Sequence, residues 1–146
     1  MKKLIALLFV LVLLLGCTNK AHLYPANDLA AQIGLLEAEY VDSGMGGGEI
    51  TVVMPDGEIL KGEYTIADTA SVGFGYIYTS VFGSGGSAYG TDSATSMAAS
   101  GSSPGIATLL GDKGTMMQCE YFVSNLREKD CGACKSSNGA LYRLHF

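Results

Sequence analysis

The residues of this chain with the most chemistry to offer are its cysteines, Cys17, Cys119, Cys131 and Cys134. Cys131-Gly132-Ala133-Cys134 has the CxxC spacing of thiol–disulfide catalysts. Such motifs work when the first cysteine opens a helix, whose N-terminus stabilises the thiolate. Here a strand-like run and a Ser137-Asn138-Gly139 turn follow, so a thiol–disulfide protein is a secondary reading. His22 and His145 lie far apart in sequence and belong to no ligand cluster, so no metal is expected. There is no G-x-S-x-G elbow, and the two histidines give no basis for a Ser-His-Asp arrangement. Glu37, Glu39, Glu49, Glu63 and Glu120 fall on outward faces, as solvated charge rather than a glycosidase pair. Gly44 to Gly48 is glycine-rich but lacks the Lys and Ser/Thr of a phosphate-binding loop. No catalytic residue and no cofactor is expected.

The N-terminus decides how many cysteines are available. Met1-Lys2-Lys3 is a charged start, and Leu4 to Leu15 is an unbroken apolar run. The run is too short to cross a bilayer of about 30 Å as a helix. Leu14-Leu15-Gly16-Cys17 follows directly and resembles a bacterial lipobox. That resemblance implies a signal peptide over 1–16, cleavage before Cys17 and lipid on its sulfur. One acyl chain gives marginal membrane binding, so stable anchoring takes more than one; bacterial lipoproteins of this type carry three. Thr18 rather than Asp after Cys17 resembles the Gram-negative outer-membrane sorting pattern. The expected address is therefore the periplasmic face of the outer membrane. Loss of Lys2 and Lys3 leaves 7 Lys and Arg against 14 Asp and Glu, a net charge of −7, which argues against a nucleic-acid partner. The envelope is oxidising, so disulfides are allowed. With Cys17 lipidated, a four-cysteine zinc site is excluded and at most one intramolecular pair can form.

The elements that must position these cysteines read as antiparallel strands. Gly105 to Phe146 reads as a three-stranded unit with glycine-ended turns at Asp112–Gly114 and Ser137–Gly139. Three-residue loops there pair Leu109 with Met117, Ala107 with Cys119, and Cys134 with Tyr142. Met117, Cys119, Tyr121 and Val123 then share one apolar face, and Ala140, Tyr142, Leu144 and Phe146 another. A one-residue slip would turn every side chain over. This parity puts Cys119 and Cys134 inward and favours their disulfide, with Cys131 as a free thiol; Cys119–Cys131 is the competing pair. Pro55-Asp56-Gly57 makes a third hairpin of the same kind, aligning Ile50, Val52 and Met54 with Leu60, Gly62 and Tyr64. Upstream, Ile33 to Val41 reads as the first strand, with Leu36, Ala38 and Tyr40 opposite Glu37 and Glu39. Residues 17–34 read as a lipid-anchored tether, extended at Leu23-Tyr24-Pro25 and with one helical turn at Asp28 to Gln32.

Between these hairpins the composition shifts. Thr65 to Gly111 carries only two charges across its whole length, Asp68 and Asp92. Val72 to Phe82 alternates as a strand with Phe74, Tyr76 and Tyr78 on one face, a candidate binding surface. Residues 83–104, rich in Gly, Ser, Ala and Thr, read as a long mobile loop. A membrane-inserting hairpin would need more alternating strands to close a barrel.

The expectation is an all-β domain over 35–146, a small antiparallel sandwich or open barrel of six to eight strands. The lipobox, Leu23-Tyr24-Pro25, Pro55-Asp56-Gly57-Glu58, Gly62, Gly111-Asp112-Lys113-Gly114-Thr115, Cys119-Glu120-Tyr121, Gly132-Ala133-Cys134, Gly139 and Tyr142 together resemble a group of small bacterial lipoproteins. These motifs are turns, strand residues and cysteines, and the resemblance implies no activity. The leading expectation is a non-enzymatic envelope protein, membrane-bound through its lipid, that binds an envelope or cell-wall partner. One form of it is a prophage-type lipoprotein that excludes superinfecting phage; another is a binder of peptidoglycan or carbohydrate.

Overall fold

The computed structural model describes residues 18–66, 81, 102–124 and 131–146. Eight antiparallel strands close into a barrel in simple sequence order. They are β1 (Asn19–Pro25), β2 (Leu36–Asp42), β3 (Gly47–Val53), β4 (Ile59–Ile66), β5 (Ser102–Gly111), β6 (Met116–Ser124), β7 (Cys131–Ser136) and β8 (Leu141–His145), with a helical turn α1 (Asp28–Ile33) after β1. The sheet is therefore a closed barrel, not a sandwich or an open one. Closure comes from β1, which pairs with β8 through His22↔His145 and Leu23↔Leu144. The segment 17–34, read as a tether, thus supplies the strand that removes both sheet edges. The C-terminal unit has four strands rather than three, because both hairpins there contribute a pair. β5 begins at Ser102, so the last residues of the expected 83–104 loop are strand.

The expected registers hold. Leu109↔Met117, Ala107↔Cys119 and Cys134↔Tyr142 are direct partners, as are Ile50↔Gly62 and Val52↔Leu60. The three glycine hairpins share one hydrogen-bond scheme. Gly57 donates to the Met54 carbonyl, Gly114 to Gly111 and Gly139 to Ser136, while Met54, Gly111 and Ser136 each bond the carbonyl four residues on. The glycines take φ of 82°, 100° and 92°, where a Cβ would clash with the backbone. These turns and α1 all lie at one end of the barrel.

That end is closed. Asn27 caps α1 by accepting from the Ala30 amide at 3.0 Å. The same side chain accepts from Leu141 N at 3.1 Å and donates to the Gly139 carbonyl at 2.9 Å, which ties the helical turn to the β7–β8 turn. Two further turns are latched together by Glu58. Its buried carboxylate takes hydrogen bonds from the Thr115 hydroxyl at 2.6 Å, the Thr115 amide at 2.9 Å and the Lys113 amide at 3.1 Å. Gly111 leaves room for it, since a Cβ there would fall 2.0 Å from the carboxylate oxygen.

Leu23, Leu36, Val52, Leu60, Leu109, Met117, Tyr142 and Leu144 fill the interior at 2% exposure or less, as an eight-stranded barrel just wide enough for side chains requires. Cys119 and Cys134, direct partners on β6 and β7, form a disulfide inside this core. Its separation of 15 residues corresponds to about 3 kcal/mol in the chain-entropy model. The outer wall carries Lys20, Glu37, Glu39, Glu49, Lys61 and Glu63. An apolar interior under a charged wall is the reverse of a transmembrane barrel.

One stretch of outer wall is covered. Glu120, Phe122 and Ala133 point outward by register but are buried, whereas Glu120 was expected in solvent. Val81 packs against Ala133 there, beside Ala26 and Leu141. Val81 is helical, which corrects the strand expectation for Val72 to Phe82 at that position.

Candidate functional site

The described residues at the opposite end of the barrel are built differently and surround a cavity. Tyr40 and Asp42 end β2, Tyr64 and Ile66 end β4, Tyr121 and Val123 end β6, and Phe146 follows β8. Alternation turns each of them inward, where they line a cavity of about 180 Å³ together with Ile50, Ala107 and Leu144. By strand position Ile50, Ala107 and Leu144 form the floor, and Asp42, Ile66 and Val123 stand nearest the rim.

Four aromatic rings form a closed cycle around this cavity. Tyr40 meets Tyr64 at 5.9 Å between centroids, Tyr64 meets Tyr121 at 6.5 Å, Tyr121 meets Phe146 at 5.5 Å, and Phe146 returns to Tyr40 at 5.6 Å. All four contacts are edge-to-face, the geometry that ring quadrupoles favour. Glycines make room for the rings. A Cβ on Gly105 would lie 2.3 Å from the Tyr121 ring, and one on Gly48 would lie 2.9 Å from that of Tyr64.

Among the described residues, polar atoms at the mouth are few. The Tyr121 hydroxyl donates to the Thr65 carbonyl at 2.9 Å, and burial pushes its pKa well above the ordinary phenol value. Tyr64 is also raised, first by burial and then by the negative charge of Asp42. Asp42 is exposed at the rim and accepts from the Gly44 amide at 2.7 Å. Glu49 and Glu63 face each other on the outer wall nearby. The mouth therefore offers an apolar, aromatic-walled pocket with negative charge at its edge.

The sequence-based candidates fall elsewhere. Cys119 and Cys134 are bonded to each other in the core, and Cys131 is half-buried outside that disulfide, on the opposite face of β7. The two cysteines of the CxxC thus lie on opposite sides of one strand, and Cys134 has its partner on β6. Cys17, Phe74, Tyr76 and Tyr78 lie outside the described residues. Among the described residues, no group of three His, Cys, Asp or Glu is placed to hold a metal ion. His22 and His145 are neighbours across β1 and β8 on the outer wall, although their sequence positions are remote. The mouth residues Tyr40, Tyr64, Tyr121 and Phe146 had each been read as inward-facing. Their shared position at the strand ends away from the turns was the signal that would have grouped them; Asp42 carried none. No family model, curated protein or solved structure gives a significant match to this chain.

Proposed function

We propose that this protein is a lipid-anchored binding module of the cell envelope, held by acylated Cys17 at the periplasmic face of the outer membrane, with the barrel mouth as its ligand site. The observation that carries the reading is positional. Asn19, two residues beyond Cys17, is the direct partner of Tyr40, so the chain enters the barrel at the mouth end. A lipid on Cys17 would hold that end toward the bilayer and leave the latched turns facing away. Three acyl chains would make the attachment durable, since burial is worth about 0.8 kcal/mol per CH₂. The pocket suits recognition rather than turnover: its walls are rings and alkyl groups, and its one carboxylate is solvated at the rim. Binding sites of this kind are apolar with few polar groups to set orientation. A thiol–disulfide activity has less support, because Cys131 and Cys134 do not share a face.

Intact-mass analysis and membrane fractionation of the full chain test the anchor. The expected result is residue 17 carrying three acyl chains, with Cys17→Ser releasing the protein from the membrane fraction. An unmodified Cys17, or a Cys17→Ser variant that stays membrane-bound, would overturn that part. Loss of small-ligand binding on filling the mouth with Val123→Phe at the half-buried rim, with the thermal transition kept, is expected if the cavity is the site.

A further inference from the structure

We infer that the mouth takes a small organic cation: an ammonium ion bearing a single ring or a short branched alkyl group. This rests on the reading of the mouth as the ligand site and names the chemistry of its ligand.

Size comes first. A buried apolar cavity of roughly 150 Å³ accommodates benzene, and this one measures about 180 Å³. It has room for one ring or its alkyl equivalent and not for a long chain. Shape and polarity come second. The floor of Ile50, Ala107 and Leu144 is wholly apolar, so the ligand's body enters first and its polar group stays near the rim.

Charge then selects the polar group. Among the described residues Asp42 is the one carboxylate in the lining, and its field reaches the Tyr64 hydroxyl. Glu49 and Glu63 add negative potential from the outer wall, and residues 17–146 as a whole carry −7. An anion at this position would be repelled. A neutral hydroxyl would gain only a hydrogen bond, while giving up its own to water. A cation gains the Asp42 carboxylate on one side and the rings of Tyr40 and Tyr64 on the other, whose electron-rich faces attract ammonium groups. Lys20, the basic residue of β1, bonds Glu37 at 2.6 Å on the outer wall.

The test uses the full chain in a non-ionic detergent and three probes of one shape: benzylammonium, benzyl alcohol and phenylacetate. The chain has 8 Tyr and no Trp, so tyrosine fluorescence reports directly on the rings, and amide NMR shifts of Gly48 and Gly105 locate the site. Benzylammonium should bind about tenfold tighter than benzyl alcohol, the range a cation–ring contact supplies. Phenylacetate should bind weakest. Asp42→Asn keeps the oxygen that accepts from Gly44 and should shrink the preference for benzylammonium over benzyl alcohol to about twofold. Tyr40→Leu, which keeps an apolar wall but removes a ring, should reduce the same preference. Equal binding of benzylammonium and benzyl alcohol, or tightest binding of phenylacetate, would overturn the cation inference and leave the mouth as an apolar binding site. An undiminished preference in Asp42→Asn would overturn it as well. Failure of all three probes to shift Gly48 or Gly105 would remove the binding site itself.

Discussion

The two ends of this barrel solve opposite problems with the same strands. At the closed end, short glycine turns bring the chain back at once, and two polar side chains tie neighbouring turns together: Glu58 with Thr115 and Lys113, Asn27 with Ala30, Gly139 and Leu141. At the mouth end, aromatic rings lean on one another around a cavity. Packing is tight where side chains interdigitate without space, and a cavity remains where they do not.

The comparison breaks most sharply if truncations cost the same at both ends. Leu109→Ala, in the filled half at 0% exposure, should destabilise by about 3 kcal/mol, whereas Phe146→Ala at the mouth, 37% exposed, should cost about 1 kcal/mol. Urea midpoints at equal m-values check this, and equal losses would mean that the mouth is as tightly packed as the floor.

The Glu58 latch sharpens it further. The Thr115 hydroxyl, then the Thr115 and Lys113 amides, hold its carboxyl below the ordinary carboxylate range. A depressed folded pKa means that its stabilisation is complete above the unfolded value and fades as pH falls through the folded one. The wild-type midpoint should therefore drop on going from pH 7 to pH 3. Glu58→Gln should start lower at pH 7, because an amide cannot accept from all three donors, and should lose less over the same interval. Parallel pH profiles for the two proteins would show that the latch contributes nothing.

The smallest expected effect is Tyr142→Phe. The Tyr142 hydroxyl is buried at the core and has no hydrogen-bond partner among the described residues. Removing it should leave stability unchanged or raise it by up to about 1 kcal/mol, readable as a thermal midpoint shift. A clear destabilisation would reveal a hidden partner in the filled half.

Much of the closed end was legible before any coordinates. Positive-φ glycines at 57, 114 and 139 follow turn residues, and strand parity on either side fixes which side chains point inward. Parity also chose Cys119 with Cys134, because a disulfide in the core needs both sulfurs on one face. The mouth was legible only in pieces. Tyr40, Tyr64, Tyr121 and Phe146 each alternate inward, but they sit on four strands remote from one another in the chain. Glu58 and Thr115 were both visible as turn residues; their bond spans 57 positions and has no local signature.

By itself the sequence determined the local geometry: where the chain turns, which residues face the core, and that the strands run antiparallel. Backbone sterics and side-chain alternation act over a few residues, so a short window contains them. Only the tertiary structure decided that β1 closes on β8, that Glu58 bridges two turns and that four rings surround a cavity. Those contacts join residues whose proximity exists only after the barrel has closed, and no stretch of chain short enough to read locally contains both partners.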